Sequence, residues 1–150
     1  MSTDSPRTGT RGMTWPQLAA MVIGAVYALI GVVGFVVTGF EDFFGHTGET
    51  LLGFEINGMH NVVHLLIGLA GIALARTLPG ARSYGWLLAV GYGAAFLYGL
   101  FAVGEDWDFL SLNWADNWLH LVTALVGLAI ALGPVHSGTA VRGRDTSLRR

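Results

Sequence analysis

Ile56-Asn57-Gly58-Met59-His60-Asn61-Val62-Val63-His64-Leu65 returns 56 residues later as Leu112-Asn113-Trp114-Ala115-Asp116-Asn117-Trp118-Leu119-His120-Leu121. Both stretches run on into apolar sequence. Over twenty residues the equivalents of Asn57, Asn61, His64, Leu65, Leu69, Gly71, Ala73 and Ala75 are identical. Asn and His are costly to carry into an apolar environment. A chain that places them there twice in one register holds a polar centre, and the fold follows from asking what surrounds it.

The surroundings are apolar. The chain has 150 residues, 53% hydrophobic and 12% charged, against about 25% charged in a soluble globular domain. That composition points to one small integral membrane domain. No cysteine is present, which excludes disulfides, thiolate metal sites, iron–sulfur clusters and cysteine nucleophiles. The 22 glycines follow no collagen-like or linker-like period, so helix packing is their expected use.

Four apolar stretches, at 16–39, 58–78, 84–103 and 115–134, each approach the ~20 residues that a helix needs to cross a bilayer core. The first exceeds the apolar run of a signal peptide and has no A-x-A-like site after it, so it reads as a span. Arg7 and Arg11 precede span one, Arg76 and Arg82 flank the turn between spans two and three, and Arg142, Arg144, Arg149 and Arg150 follow span four. There is no lysine, and the other two connections are acidic, with Glu41, Asp42, Glu49 and Glu55 in one and Glu105, Asp106 and Asp108 in the other. The positive-inside rule therefore puts both termini in the cytoplasm. A lysine-free, Gly/Ala/Arg-rich chain also suggests a GC-rich bacterial source and the bacterial cytoplasmic membrane. Residues 1–14 and 135–150 are expected to be disordered.

The repeat extends beyond the polar stretch. Ala25-Val26-Tyr27 through Gly34 and Gly39 matches Gly91-Tyr92 through Gly99 and Gly104 at an offset of 65. The expected fold is thus an all-α, integral membrane four-helix bundle made of a duplicated transmembrane hairpin, with a pseudo-two-fold axis along the membrane normal. Trp15 and Trp86 fall at the inner interface, and Trp107, Trp114 and Trp118 near the outer one. Thr77-Leu78-Pro79-Gly80-Ala81 reads as a short turn. The first outer loop carries Phe43, Phe44, Leu51, Leu52 and Phe54, so it is expected to lie on the headgroups or fold over the helix ends.

Residues four apart share a helix face. One face of span two carries Asn57, Asn61, His64, Gly68, Gly71 and Ala75, and that of span four Asn113, Asn117, His120, Ala124, Gly127 and Ala131. Asn57 and Asn113 stand at N-cap positions, with Asp116 favourable to the helix dipole. Asn61, His64, Asn117 and His120, with His60 and Asp116 beside them, form the candidate polar cluster, expected to join spans two and four near the outer leaflet by interhelical hydrogen bonds. Two alternatives remain open. His64 and His120 could ligate a haem, or, with His60 and Asp116, a divalent metal. The cluster could also be part of a proton or ion path, although no ionisable residue lies in the inner half of any span. His46 and His136 read as surface residues.

The segments Asn57-Gly58-Met59-His60-Asn61-Val62-Val63-His64-Leu65 and Asn113-Trp114-Ala115-Asp116-Asn117-Trp118-Leu119-His120-Leu121 resemble those of a family of small four-span bacterial membrane proteins, domain of unknown function 4383. The resemblance covers 15–134, including Ala81-Arg82-Ser83-Tyr84-Gly85 on the approach to span three. It implies a four-helix inner-membrane protein and carries no activity with it. No G-x-S-x-G, P-loop or Rossmann pattern is present, so a non-enzymatic membrane component is expected, with no resident cofactor on the first reading. Its expected partners are the lipid bilayer and a second copy of the chain or another membrane protein, not nucleic acid.

Overall fold

The computed structural model describes residues 12–40 and 42–135. Arg7, Arg11, Glu41, His136 and the arginines from 142 to 150 lie outside the described residues, as does most of each end segment expected to be disordered. Four helices carry the fold: α1 (Trp15–Thr38), α2 (Gly58–Leu74), α3 (Leu78–Ala102) and α4 (Trp114–Leu132). Two short strands between α1 and α2, β1 (Thr50–Leu51) and β2 (Phe54–Glu55), pair antiparallel with Thr50 opposite Glu55 and Leu51 opposite Phe54. The Leu52-Gly53 turn joining them has positive φ at both residues, 56° and 89°.

Helices α1, α3 and α4 are long and apolar enough to cross a membrane. Helix α2 has 17 residues, or about 25 Å of rise, and ends at Leu74 rather than at the 78 expected from hydropathy. The chain restarts at Leu78, not at 84, because Thr77 N-caps α3 by accepting from Gly80 N. Pro79 then occupies the first turn, where its missing N–H costs nothing. Pro79-Gly80, expected to form the turn, instead begin the helix, and Arg82 lies in its second turn.

Close packing occurs within two pairs, α1 with α2 and α3 with α4. A Cβ built on Gly24 would lie 2.7 Å from Ile72 N, and one on Gly31 2.7 Å from Leu65 N. Gly68 abuts the Ala28 backbone from the other side. The second pair does the same, with 2.6 Å from Gly85 to Ala131 N and 2.6 Å from Gly127 to Ala89 N. No real side chain tolerates such distances, so glycine lets backbone meet backbone. The faces of spans two and four that carry the small residues were expected to turn inward and bring their polar residues together in the bundle. Among the described residues, however, no Cα of α2 comes within 8 Å of a Cα of α4. The stripes are used up inside the two pairs, against the glycines of α1 and α3.

Larger side chains fill the space between the pairs. Tyr84, Leu88 and Tyr92 of α3 are buried with Tyr27 of α1 and Ile130 of α4, and the Tyr84 ring covers Gly71 of α2. The outer surface is apolar: Leu18, Val22, Val26, Leu29, Val32 and Val36 make an exposed stripe along α1, at the three-to-four spacing of one helix face.

The N-terminal parts of α1 and α3 overhang the C-termini of α2 and α4 and satisfy their open carbonyls. Gln17 donates to Ala75 O at 3.1 Å, and Arg82 to Ala131 O at 2.9 Å and Gly133 O at 3.1 Å. Trp15 Nε1 reaches Pro134 O at 2.8 Å and ties α1 to the end of α4.

Candidate metal centre

The polar stretches begin where the loops meet the bundle. Asn57 and Asn113 are the N-caps of α2 and α4, their side-chain oxygens accepting from His60 N and Asp116 N at 2.9 Å. Such a cap contributes about 1 kcal/mol. Each cap amide also donates to the loop of the other hairpin, Asn57 to Phe109 O at 2.9 Å and Asn113 to Gly53 O at 2.9 Å. The first turns of α2 and α4 are thereby held in register across the bundle, although their backbones stay apart.

Their side chains converge in the gap. One ring nitrogen each from His60, His64 and His120 lies within 4.8 Å of the other two. His60 Nε2 and His64 Nε2 are 3.2 Å apart. Asp116 Oδ2 is 3.8 Å from His60 Nε2 and 3.6 Å from His120 Nε2, and has no hydrogen-bond partner. All four residues are buried.

Hydrogen bonding orients the His60 ring. His60 Nδ1 is 3.1 Å from Leu110 O, and a carbonyl only accepts, so Nδ1 carries the proton. In the neutral ring Nε2 then presents a lone pair to the cluster. Tyr27 stacks on His64 with ring centroids 5.1 Å apart, and Tyr92 lies 5.2 Å from His120. Tyr27 is fixed in turn by a 2.8 Å hydrogen bond with Thr123 of α4.

Nitrogen ligands 2.0–2.1 Å from a tetrahedral divalent ion stand about 3.3 Å from one another. The 3.2 Å edge fits that figure, and the spacing to His120 is wider, within 4.8 Å. Three imidazoles and a carboxylate form a hard-to-borderline donor set suited to zinc or a similar ion. The Leu110 carbonyl behind His60 is the usual outer partner of a ligating histidine.

The two asparagines of the expected cluster are elsewhere. Asn61 turns to α1, its side chain against Gly34 and its amide donating to Thr38 Oγ1 at 2.9 Å. Asn117 turns to α3, against Gly99. Each belongs to its own hairpin, and the two do not face one another. The expected six-residue cluster therefore separates into a central group of His60, His64, Asp116 and His120 and two flanking asparagines. The glycine opposite each asparagine leaves the room that its amide occupies. His46, expected at the surface, is exposed and reaches Glu105 O and Ser111 Oγ.

Residues 17–133 match the domain of unknown function (DUF4383) family. The chain belongs to that family. Neither a curated protein nor a solved structure matches it. In this DUF4383 chain, Tyr27, Tyr92, Thr123 and Asp108 shape the site although the polar motif does not contain them. The tyrosines carried a signal, since they fall at equivalent places in the two 65-offset segments. Asp108 gave none beyond its charge. It is buried and binds the loop to itself, accepting from Leu112 N at 2.6 Å, Leu110 N at 3.1 Å and Tyr98 Oη at 3.1 Å. That fold of the loop delivers Leu110 O to His60.

Proposed function

We propose that this chain is a multi-pass membrane protein that binds one divalent metal ion between its two hairpins, near the outer leaflet. The observation that carries the reading is the convergence of His60, His64 and His120 ring nitrogens within 4.8 Å beside the unpartnered Asp116 carboxylate. A buried carboxylate is costly unless a cation neutralises it, and no arginine lies near this end of the described bundle. The ion supplies that charge, and the ligands hold it by donating neutral nitrogen lone pairs.

Membrane embedding is supported by three long apolar helices whose outer faces are aliphatic, while the polar groups turn inward. Exposed Phe40, Phe44, Trp107, Trp114 and Trp118 ring the end with the two loops, where interfacial aromatics belong. The arginine distribution supports cytoplasmic termini in a bacterial inner membrane, and the matched seams of the two hairpins support the repeated-hairpin reading. A divalent ion fits better than a haem. Three nitrogens point at one locus, whereas haem takes its axial ligands on opposite faces of a wide macrocycle, and Tyr27 and Tyr92 fill the flanks such a ring would need. With no catalytic motif in the sequence, the role we assign is binding rather than catalysis.

The test is metal content and Co²⁺ titration of the detergent-purified full chain. One ion per chain is expected, with the tetrahedral Co²⁺ absorption lost or weakened at least tenfold in His60→Ala and His64→Ala at unchanged helix content. A metal-free protein that takes up no Co²⁺, or histidine variants that bind it as tightly, overturns the reading and returns the cluster to interhelical hydrogen bonding.

A further inference from the structure

Beside the histidines lies a cavity of about 140 Å³, walled by Val63, Ile67, Leu110 and Leu112 together with His60, His64, His120 and Tyr92. An apolar cavity of about 150 Å³ holds a benzene ring, so the space suits a single six-membered ring. Three of the polar walls are unsatisfied: His64 Nδ1, His120 Nδ1 and Tyr92 Oη have no hydrogen-bond partner, and each residue is more than nine-tenths buried. Buried polar atoms of this kind call for an occupant. The cavity also has a direction of access. Gly91 and Ala95 of α3 complete its wall; Gly91 is exposed on the outer face, and a Cβ added there would meet nothing within 4 Å. Val63 and Ile67 of α2 and Gly91 and Ala95 of α3 wall it together, in the seam between the two hairpins.

We propose that this cavity binds a lipid-soluble monocyclic phenol or quinol head, entering laterally past Gly91, with its ring against Val63 and Ile67 and its hydroxyl among His64, His120 and Tyr92. Cavity size sets the ring, the apolar walls exclude a charged solute, and the unpartnered donors and acceptors select a hydroxyl. The hydroxyl would meet the Nδ1 sides of His64 and His120, whose Nε2 atoms face the ion, and that part alone rests on the metal reading.

The experiment is ¹⁹F NMR titration of 4-fluorophenol and of fluorobenzene into the detergent-solubilised full chain, with and without Co²⁺, for the wild type, Gly91→Leu and Ala95→Leu. The wild type is expected to bind 4-fluorophenol at least tenfold more tightly than either variant and at least tenfold more tightly than fluorobenzene, while all three proteins take up Co²⁺ alike. Equal affinity in wild type and both filled variants overturns the proposal, as does the absence of wild-type binding. Equal affinity for fluorobenzene overturns the role of the hydroxyl. Co²⁺ uptake is read separately in the same samples. Selective phenol binding without Co²⁺ uptake would leave the cavity proposal standing after the metal reading had fallen, and Co²⁺ uptake without phenol binding would do the reverse.

Discussion

Helices α1 and α2 meet along the same kind of seam as α3 and α4, yet the two hairpins differ where they reach the loops. In both, glycines bring backbone onto backbone, and an asparagine one turn into the second helix rests on a glycine of the first, Asn61 on Gly34 and Asn117 on Gly99. At the position of His60 in the first hairpin, the second carries Asp116. Thr38, which accepts from Asn61, has Val103 as its counterpart. The crevices between the hairpins are unequal as well. The one beside α2 and α3 opens to about 140 Å³, while the one against Tyr27 and Leu119 is covered by Leu51, Leu52 and Phe54 of the β1–β2 hairpin and keeps about 40 Å³. The seam is what the fold requires, and it is repeated. The loops, and the positions of His60 and Thr38, depart from the repeat.

The largest expected effect tests the shared seam. Gly68→Leu and Gly127→Leu each drive a side chain into the facing backbone at Ala28 or Ala89, and over-packing of this kind costs about 3 kcal/mol or more. Both variants should lose thermal stability in detergent by similar amounts. Gly93→Leu, where an added Cβ meets nothing within 4 Å, should change little. A mild Gly127→Leu beside a severe Gly68→Leu would break the equivalence of the hairpins.

Next in size is the difference between His60 and Asp116. Replacing Asp116 by Asn keeps its shape and removes its charge, so Co²⁺ affinity should fall by about ten- to a hundredfold, with stability unchanged or raised. The same titration should weaken on acidification, because ligating histidines must give up their protons. Affinity that ignored both Asp116→Asn and acidification would remove the charge asymmetry from the site.

Much of this comparison could be read in the sequence, and the failures share one cause. Hydropathy located the helices, and the 56-residue repeat located Asn57, His60, His64, Asp116 and His120, because period and spacing are local properties. Which face meets which neighbour is not local. The small-residue stripes of α2 and α4 could have packed on each other or on α1 and α3; only chain connectivity and the reciprocal glycines at 24, 31, 85 and 99 decide for the latter. Asn61 and Asn117 were misplaced with them. The Leu110 carbonyl behind His60 was beyond reach, since a backbone group in a loop has no residue type to announce it. The start of α3 at Leu78 was legible in Thr77-Leu78-Pro79, but the Pro-Gly pair reads equally well as a turn.

The smallest expected effect concerns the two asparagines. Asn61 has a partner in Thr38, whereas both side-chain polar atoms of the fully buried Asn117 lack one. A buried amide that bonds to nothing destabilises, and replacing it by an apolar group of similar size is close to neutral or favourable. Asn117→Leu should therefore leave the melting temperature in detergent unchanged or raise it, while Asn61→Leu should lower it, through a loss of stability worth one interhelical bond, about 0.6 to 1.7 kcal/mol. The converse change is more discriminating. Val103→Thr places a hydroxyl where the first hairpin has Thr38, and should stabilise the protein by a similar amount, but only while Asn117 is present. A Val103→Thr gain that persisted in Asn117→Leu would show that the threonine acts on the end of α3 itself, and would separate the two hairpins at the one position where their difference is a single hydrogen bond.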